Sequence, residues 1–232
     1  SQPQRGLYKK DRASATRSAS PRCSTASAWA GSVIRPTAKV VRPECSRTRL
    51  ARGTWYSGTS KIMEQVYIGP GRALDPSQYF IVVVNQIGNG LSVSPHNSTG
   101  AQAGPGFPRV RIGDDVRAQH RLLTEHFGIR RLALVTGGSM GAQQTYEWAV
   151  RYPDMVERAA PIAGTACNTE HDFLFTETLV EALTTDPGFR DGLYATPADV
   201  AAGLKRHAKL WTVMGWSTEF FRGGRHRVLG FE

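Results

Sequence analysis

A serine within a short glycine-rich segment has the type and spacing of a catalytic nucleophile. Gly137, Ser139 and Gly141 follow the pattern G-x-S-x-G, between an apolar run ending at Val135 and a helix-like segment beginning at Met140. A serine at a sharp strand-to-helix turn exposes its hydroxyl, and flanking glycines remove side chains that would clash or block a substrate. The backbone N–H of Met140, at a helix N-terminus, can stabilise an oxyanion. This pattern predicts a nucleophile elbow, with Ser139 as the attacking group and Gly137 and Gly141 as elbow glycines.

The elements that must position this serine alternate between strand and helix. Apolar runs predict three strands, helical spacing predicts two intervening helices, and a Gly/Ser/Pro-rich stretch predicts a long loop. In chain order these are strand 79–84, loop 88–108, helix 114–127, strand 132–135, helix 140–151 and strand 159–163. Such alternation predicts right-handed crossovers and a parallel sheet with helices on both faces. Beyond Cys167 the sequence is mostly helical and predicts a separate cap.

Composition narrows the class of protein. The chain has 232 residues and is 40% hydrophobic, which is compatible with one α/β domain. It has no apolar stretch long enough to cross a bilayer and no N-terminal apolar segment typical of a secretory signal. Cys23, Cys45 and Cys167 are odd in number and lack metal-ligand spacing. We therefore expect reduced thiols in a cytoplasmic protein, with no metal and no membrane partner.

Positive charge is concentrated in residues 1–50. This segment contains eleven Lys and Arg and two acids, so +9 of the formal net charge of +10 lies there. Three interpretations of this segment are open: a basic arm that binds nucleic acid, a transit peptide, and a sequence that is not native coding sequence. The basic residues are scattered without interleaved aromatics, and no amphipathic helix is evident. The third interpretation is therefore favoured, no nucleic-acid partner is predicted, and organelle import is the weaker alternative to a cytoplasmic location.

Six segments resemble the homoserine O-acetyltransferase branch of the α/β-hydrolases, between about residue 54 and residue 221. They are TWYSGT (54–59), IGPGRALD (68–75), NQIGNGL (85–91), FPRVRIGD (107–114), GGSMGAQQ (137–144) and EWAVRYP (147–153). The resemblance implies that Ser139 takes an acyl group from acyl-CoA, such as acetyl-CoA, and passes it to an acceptor hydroxyl without a bound cofactor. It implies an oxyanion hole formed by the backbone N–H groups of Tyr56 and Met140. The implied partners are a small-molecule acyl donor and acceptor, with a homodimer left open.

The chain departs from the family pattern at its catalytic partners. In this fold the catalytic triad runs Ser, Asp, His along the chain. The 93 residues after Ser139 resemble the family's helical lid and then a tail outside the family, so they supply no evident triad Asp or His. The histidines are all expected to be surface or packing residues; they are His96, His120, His126, His171, His207 and His226. Residues 47–53, which precede the loop that contains Tyr56, are too charged to predict a buried strand. A reading-frame shift or a mispredicted gene at both ends would explain these departures together.

A further departure concerns the acceptor. Ala208 and Gly215 stand where the family carries an Arg and a Tyr that bind the amino acid, and neither can bind a carboxylate through its side chain. This argues against homoserine as the acceptor.

The sequence therefore predicts an α/β-hydrolase-type sheet that is incomplete at both ends, together with part of a helical lid. Its segments are 1–52, basic and disordered or non-native; 53–166, a partial core; 167–221, the lid; and 222–232, a tail outside the family. The main functional prediction is acyl transfer from acyl-CoA to an unknown acceptor, impaired by the missing Asp and His. The alternatives are a serine esterase or hydrolase of the same fold, and a catalytically inactive fragment or homologue. Exposed sheet edges also predict poor folding of the chain alone.

Overall fold

The computed structural model describes residues 38–41, 49–54 and 58–230. Within them the chain divides into two units, with the boundary between Ala166 and Cys167. The predictions for residues 1–37 and 42–48 lie outside the described residues.

The first unit is built on a five-stranded sheet in the order β1-β3-β2-β4-β5. β1 is antiparallel to β3, and every other neighbouring pair is parallel. The strands are β1 (Ala38–Val41), β2 (Arg49–Gly53), β3 (Phe80–Val84), β4 (Leu134–Gly138) and β5 (Ala159–Ile162). The predicted α/β class with a parallel sheet is confirmed, and the one antiparallel pair among the described strands is that of β1 with β3.

Strand β2 corrects one prediction. We expected residues 47–53 to be too charged for a strand, but β2 pairs with β3 on one side and β4 on the other. Backbone ladders require no apolar side chain, and the small residues Ala51 and Gly53 are buried. The charged composition therefore did not exclude a central strand, and the sheet continues through β2 to β3 and β1.

Helices cover both faces of this sheet. They are α1 (Ser60–Tyr67), α2 (Ile112–Arg121) and α3 (Met140–Arg151). The alternation along β3 explains the two cores: Val82 packs with buried residues of α2 and α3, whereas Ile81 and Val83 pack with Met63 of α1. Period-2 side-chain alternation thus gives the sheet two buried faces.

Helix α2 begins two residues before the predicted position, but its α-helical part ends at Arg121, six residues before the predicted end. The Asp114 carboxylate accepts a hydrogen bond of 2.8 Å from the Arg111 backbone N–H, which fixes its first turn. A wider π-helical turn, Leu122–His126, then replaces the expected α-helical continuation. Gly128 follows with φ 63°, the left-handed conformation predicted for a residue that ends a helix.

The second unit is helical, as the sequence predicts. Its helices are α4 (Glu170–Thr184), α5 (Ala201–Gly215), α6 (Thr218–Arg222) and α7 (Arg225–Val228). Asp186 joins α4 to α5, because its carboxylate accepts hydrogen bonds from the backbone N–H groups of Gly188 (2.9 Å) and Gly203 (2.5 Å). These bonds lower the pKa of Asp186, since they stabilise the carboxylate. Among the helices described, none combines the length and apolar character needed to span a bilayer.

Candidate active site

Ser139 lies at the apex of the turn between β4 and α3. Its backbone has φ 54° and ψ −119°, a conformation that residues other than glycine rarely adopt. The backbone N–H of Ser139 donates to Ile162 O at 2.9 Å, and its carbonyl accepts from the Ala142 N–H at 2.9 Å. These bonds attach the turn to β5 and to α3 and leave Ser139 exposed. The serine therefore has the strained, outward geometry of a nucleophile elbow.

The two predicted elbow glycines each stand where a side chain has no space. A Cβ on Gly137 would clash with the backbone of Gly141. A Cβ on Gly141 would come within 2.8 Å of Gly53 O and 2.9 Å of Thr54 O. The first turn of α3 consequently packs directly against the carboxyl end of β2.

A third glycine belongs to the elbow and was missed at the level of sequence. A Cβ on Gly164 would lie 2.5 Å from the Ala142 Cβ and 2.6 Å from Ser139 O. The sequence could have indicated this role, because Gly164 closely follows β5, the strand next to the one that carries the elbow.

The two predicted oxyanion donors differ in what the structure describes. Met140 is the first residue of α3, a position whose N–H has no partner within the helix, and its role as an oxyanion donor stays a prediction. Tyr56 lies outside the described residues. Thr54, two residues earlier, is fully buried at the end of β2, and Gly141 packs against its carbonyl. The role of Tyr56 stays a prediction.

No described histidine of the first unit makes a hydrogen bond with Ser139. The His120 ring stacks on Tyr152 with centroids 4.0 Å apart. Tyr152 follows the last residue of α3, and Ser139 precedes the first. Since α3 has 12 residues, a rise of about 18 Å separates its two ends, so His120 lies far from the serine. Burial lowers the pKa of His120, because desolvation disfavours the charged imidazolium.

The other histidines also occupy surface or packing positions. His96 is exposed in the loop after β3, and the His126 ring lies against Phe127 at 4.7 Å. In the second unit, the His207 ring lies 6.3 Å from that of Trp211, and the His226 ring contacts Phe221. Across the described part of the chain, no group of three or more His, Cys, Asp or Glu residues could hold a metal ion.

Buried glutamines surround the base of the elbow, and sequence reasoning missed them. Gln144 Oε1 accepts a 2.8 Å hydrogen bond from Gln119 Nε2, and Gln119 Oε1 accepts one of 2.8 Å from Trp148 Nε1. Gln86 Nε2 donates to Thr54 O from the end of β3. Gln119 lies at helical spacing between the buried Val116 and Leu123, so helical periodicity could have indicated that it faces the core.

Asp115 lies beside this group with its carboxylate buried. Its Oδ1 accepts a hydrogen bond of 2.8 Å from the Ile87 backbone N–H. Burial raises its pKa to about 6, because desolvation disfavours the charged form more than this hydrogen bond favours it. Asp115 is thus the residue that ties α2 to the segment following β3.

Comparison with known proteins identifies the family. A family model described as alpha/beta hydrolase fold matches residues 62–213. The chain therefore belongs to the α/β-hydrolase family.

Similar proteins include two hydrolases and one solved esterase structure. An ethyl acetate hydrolase of Pseudomonas veronii is 76% identical over 179 residues, covering 77% of this chain and 51% of that protein. A probable esterase of Corynebacterium glutamicum is 60% identical over 180 residues, covering 77% and 52%. The monoclinic structure of the acetyl esterase MekB superposes with a TM-score of 0.81 and 68% identity, covering 86% of this chain and 58% of that one. The chain spans about half the length of the curated relatives it matches.

These relatives correct the main functional prediction. We expected an acyltransferase with acyl-CoA as co-substrate, on a resemblance to homoserine O-acetyltransferases. A homoserine O-acetyltransferase of Solidesulfovibrio magneticus is only 42% identical, over 141 residues covering 59% of this chain and 35% of that protein. The relatives at 76% and 60% identity are named as a hydrolase and an esterase. The acyltransferase prediction is therefore wrong, and acyl-CoA is unsupported as a co-substrate.

Proposed function

We propose that this chain carries the nucleophile of a serine esterase that cleaves short acetyl esters and transfers the acetyl group to water. The observation that carries the proposal is the geometry of Ser139, exposed at φ 54° between β4 and α3. The names of the P. veronii and MekB relatives support acetate as the acyl group. Within the family, we place the chain among esterases related to the homoserine O-acetyltransferase branch.

The reaction follows from where the groups lie. Ser139 Oγ attacks the ester carbonyl while its proton passes to a general base, and the carbonyl oxygen becomes an oxyanion. The N–H of Met140 at the start of α3 would donate to that oxyanion, with the N–H of Tyr56 as the expected second donor. The carbon–oxygen bond to the alcohol then breaks, the protonated base gives its proton to the departing alkoxide, and an acetyl-serine remains. Water attacks this ester and releases acetate and the free serine.

Among the described residues, the first unit offers no histidine as the general base. None of these histidines makes a hydrogen bond with Ser139, and a serine without a base is a weak nucleophile. This observation favours a second candidate, a chain that folds as an esterase core but is catalytically inactive by itself.

Reaction with a fluorophosphonate probe separates the two candidates. An esterase should be labelled stoichiometrically, and Ser139→Ala should abolish the labelling while leaving the circular dichroism spectrum unchanged. Absence of labelling on folded chain would support the inactive candidate.

A second assay tests the acceptor. With p-nitrophenyl acetate, release of nitrophenol should require Ser139 and yield free acetate. Acetyl-CoA with homoserine should yield no O-acetylhomoserine. Formation of that product at a comparable rate would overturn the choice of water.

A further inference from the structure

Two buried amide side chains meet the backbone at the junction between the carboxyl end of β2 and the first turn of α3. We propose that Gln86 and Gln144 are positioning residues that fix this junction and thereby align Ser139 and the N–H of Met140 for reaction. This inference rests on the proposed esterase function. It adds two residues that contact neither the substrate nor the reacting atoms.

The junction is too tight to tolerate sliding. The absence of a side chain at Gly141 lets α3 approach the carbonyls of Gly53 and Thr54. On the other side, a Cβ on Gly53 would lie 2.5 Å from Gln144 Oε1 and 3.3 Å from the Gly141 Cα. The Gln144 amide therefore packs at the point where the backbone of β2 meets the backbone of α3. A shift of Gln144 would therefore move the turn that begins at Ser139.

Each amide is fixed by a directed bond. Gln86 Nε2 donates to the carbonyl of Thr54, so this peptide unit cannot rotate without losing a buried bond. Gln144 Oε1 accepts from Gln119, which is fixed in turn by Trp148. Gln86 is 3% exposed and Gln144 is 1% exposed, so water cannot substitute for these bonds from bulk solvent.

The arrangement has a cost in stability that a purely structural junction would avoid. Among the described residues, the buried atoms Gln144 Nε2 and Thr54 Oγ1 have no hydrogen-bond partner. Burying an unpaired polar atom costs about 1–3 kcal/mol, and an apolar side chain of similar volume would carry no such cost. Local violations of this kind concentrate at functional sites, where geometry matters more than stability.

The test replaces each amide by a side chain of nearly equal length that cannot form these bonds. Gln86→Met and Gln144→Met should each lower kcat for p-nitrophenyl acetate by about 10-fold or more, because misalignment of reacting groups by about 1 Å has effects of this order. KM should change by less than about twofold, since neither residue contacts the substrate.

Ser92→Ala is the matched control. Ser92 is buried and its Oγ donates to Asn85 O at 2.8 Å, so this variant also loses a buried bond from a side chain to a carbonyl near the end of β3. It should lose thermal stability without a comparable loss of kcat. The positioning role is overturned if the Met variants and the control show the same loss of kcat for a given fall in melting temperature.

Hydrogen exchange distinguishes failure of this inference from failure of the proposed function. If the wild-type chain shows no Ser139-dependent hydrolysis, the proposed function fails and exchange decides the positioning role. Amides of residues 139–146 should exchange faster in Gln86→Met and Gln144→Met than in Ser92→Ala. Equal exchange in all three variants would overturn the inference.

Discussion

The Asp115 carboxylate accepts a hydrogen bond from the Ile87 backbone N–H at 2.8 Å while only 5% of the residue is exposed. The bond joins the buried face of α2 to the segment that follows β3, at the edge of the sheet where the parallel strands β2, β3 and β4 end. The carboxylate therefore contributes to the position of that segment, although burial disfavours its charge.

This burial predicts a pH dependence of stability. The pKa of Asp115 is about 6 in the folded chain against an ordinary value of 3.8, so between pH 4 and pH 6 the folded state binds more protons than the unfolded state. The contribution of Asp115 to stability is therefore present below about pH 4 and is lost as pH rises to 6, by about 3 kcal/mol.

Asp115→Asn should remove this dependence and keep the bond, because the amide oxygen can still accept from Ile87. Urea unfolding of wild type and Asp115→Asn at pH 4, 6 and 8 measures the difference. The variant should gain stability relative to wild type as pH rises. A difference that is constant across this range would contradict the assignment.

A second prediction concerns the packing of the elbow. Gly137→Ala should destabilise the first unit by about 3 kcal/mol, because the new Cβ meets the Gly141 backbone, which cannot move aside as a flexible side chain would. Gly215→Ala is the control: a Cβ there meets nothing within 4 Å, and alanine favours the helix. Thermal unfolding followed by circular dichroism compares the two. Equal stability of both variants would show that the contact at Gly137 is not tight.

A third prediction concerns the strain at Ser139. At φ 54°, a residue with a Cβ is strained and glycine is not. Ser139→Gly should therefore be more stable than Ser139→Ala by about 1 kcal/mol, although both lack the hydroxyl and neither should react with a fluorophosphonate. Urea unfolding measures the difference between the two variants, which share the loss of every contact of Oγ. A less stable glycine variant would mean that the turn relaxes and stores no strain.

The sequence predicted the elbow because its requirements are local. A strand, a turn with small flanking residues and a helix follow one another within residues 132–151, and each leaves a pattern in the sequence. The parallel sheet followed from the alternation of such segments. Both depend on neighbours along the chain, for which spacing is a sufficient guide.

The parts that the sequence did not predict depend on partners distant in the chain. β2 is central because β3 and β4 pair with its backbone from both sides. The charged sequence of β2 gives no indication of this pairing. Gln119 and Gln144 are acceptable in the core because they bond to each other across 25 positions. The choice between hydrolysis and acyl transfer could not be read from the elbow either, since the same motifs serve both reactions.

The last prediction separates the value of the Gln119–Trp148 bond from the cost of leaving one of its partners unpaired. Trp148→Phe removes the indole donor and leaves Gln119 Oε1 buried without that partner, so it should lower the free energy of unfolding by about 1–3 kcal/mol beyond the loss of ring volume. Gln119→Leu leaves the indole N–H and Gln144 Oε1 unpaired in the same way. In the double variant neither the indole donor nor the Gln119 acceptor is present, and its loss should be smaller than the sum of the two single losses by about 1 kcal/mol. Urea unfolding of all four chains completes the cycle, and strictly additive losses would mean that the Gln119–Trp148 bond contributes no free energy to stability.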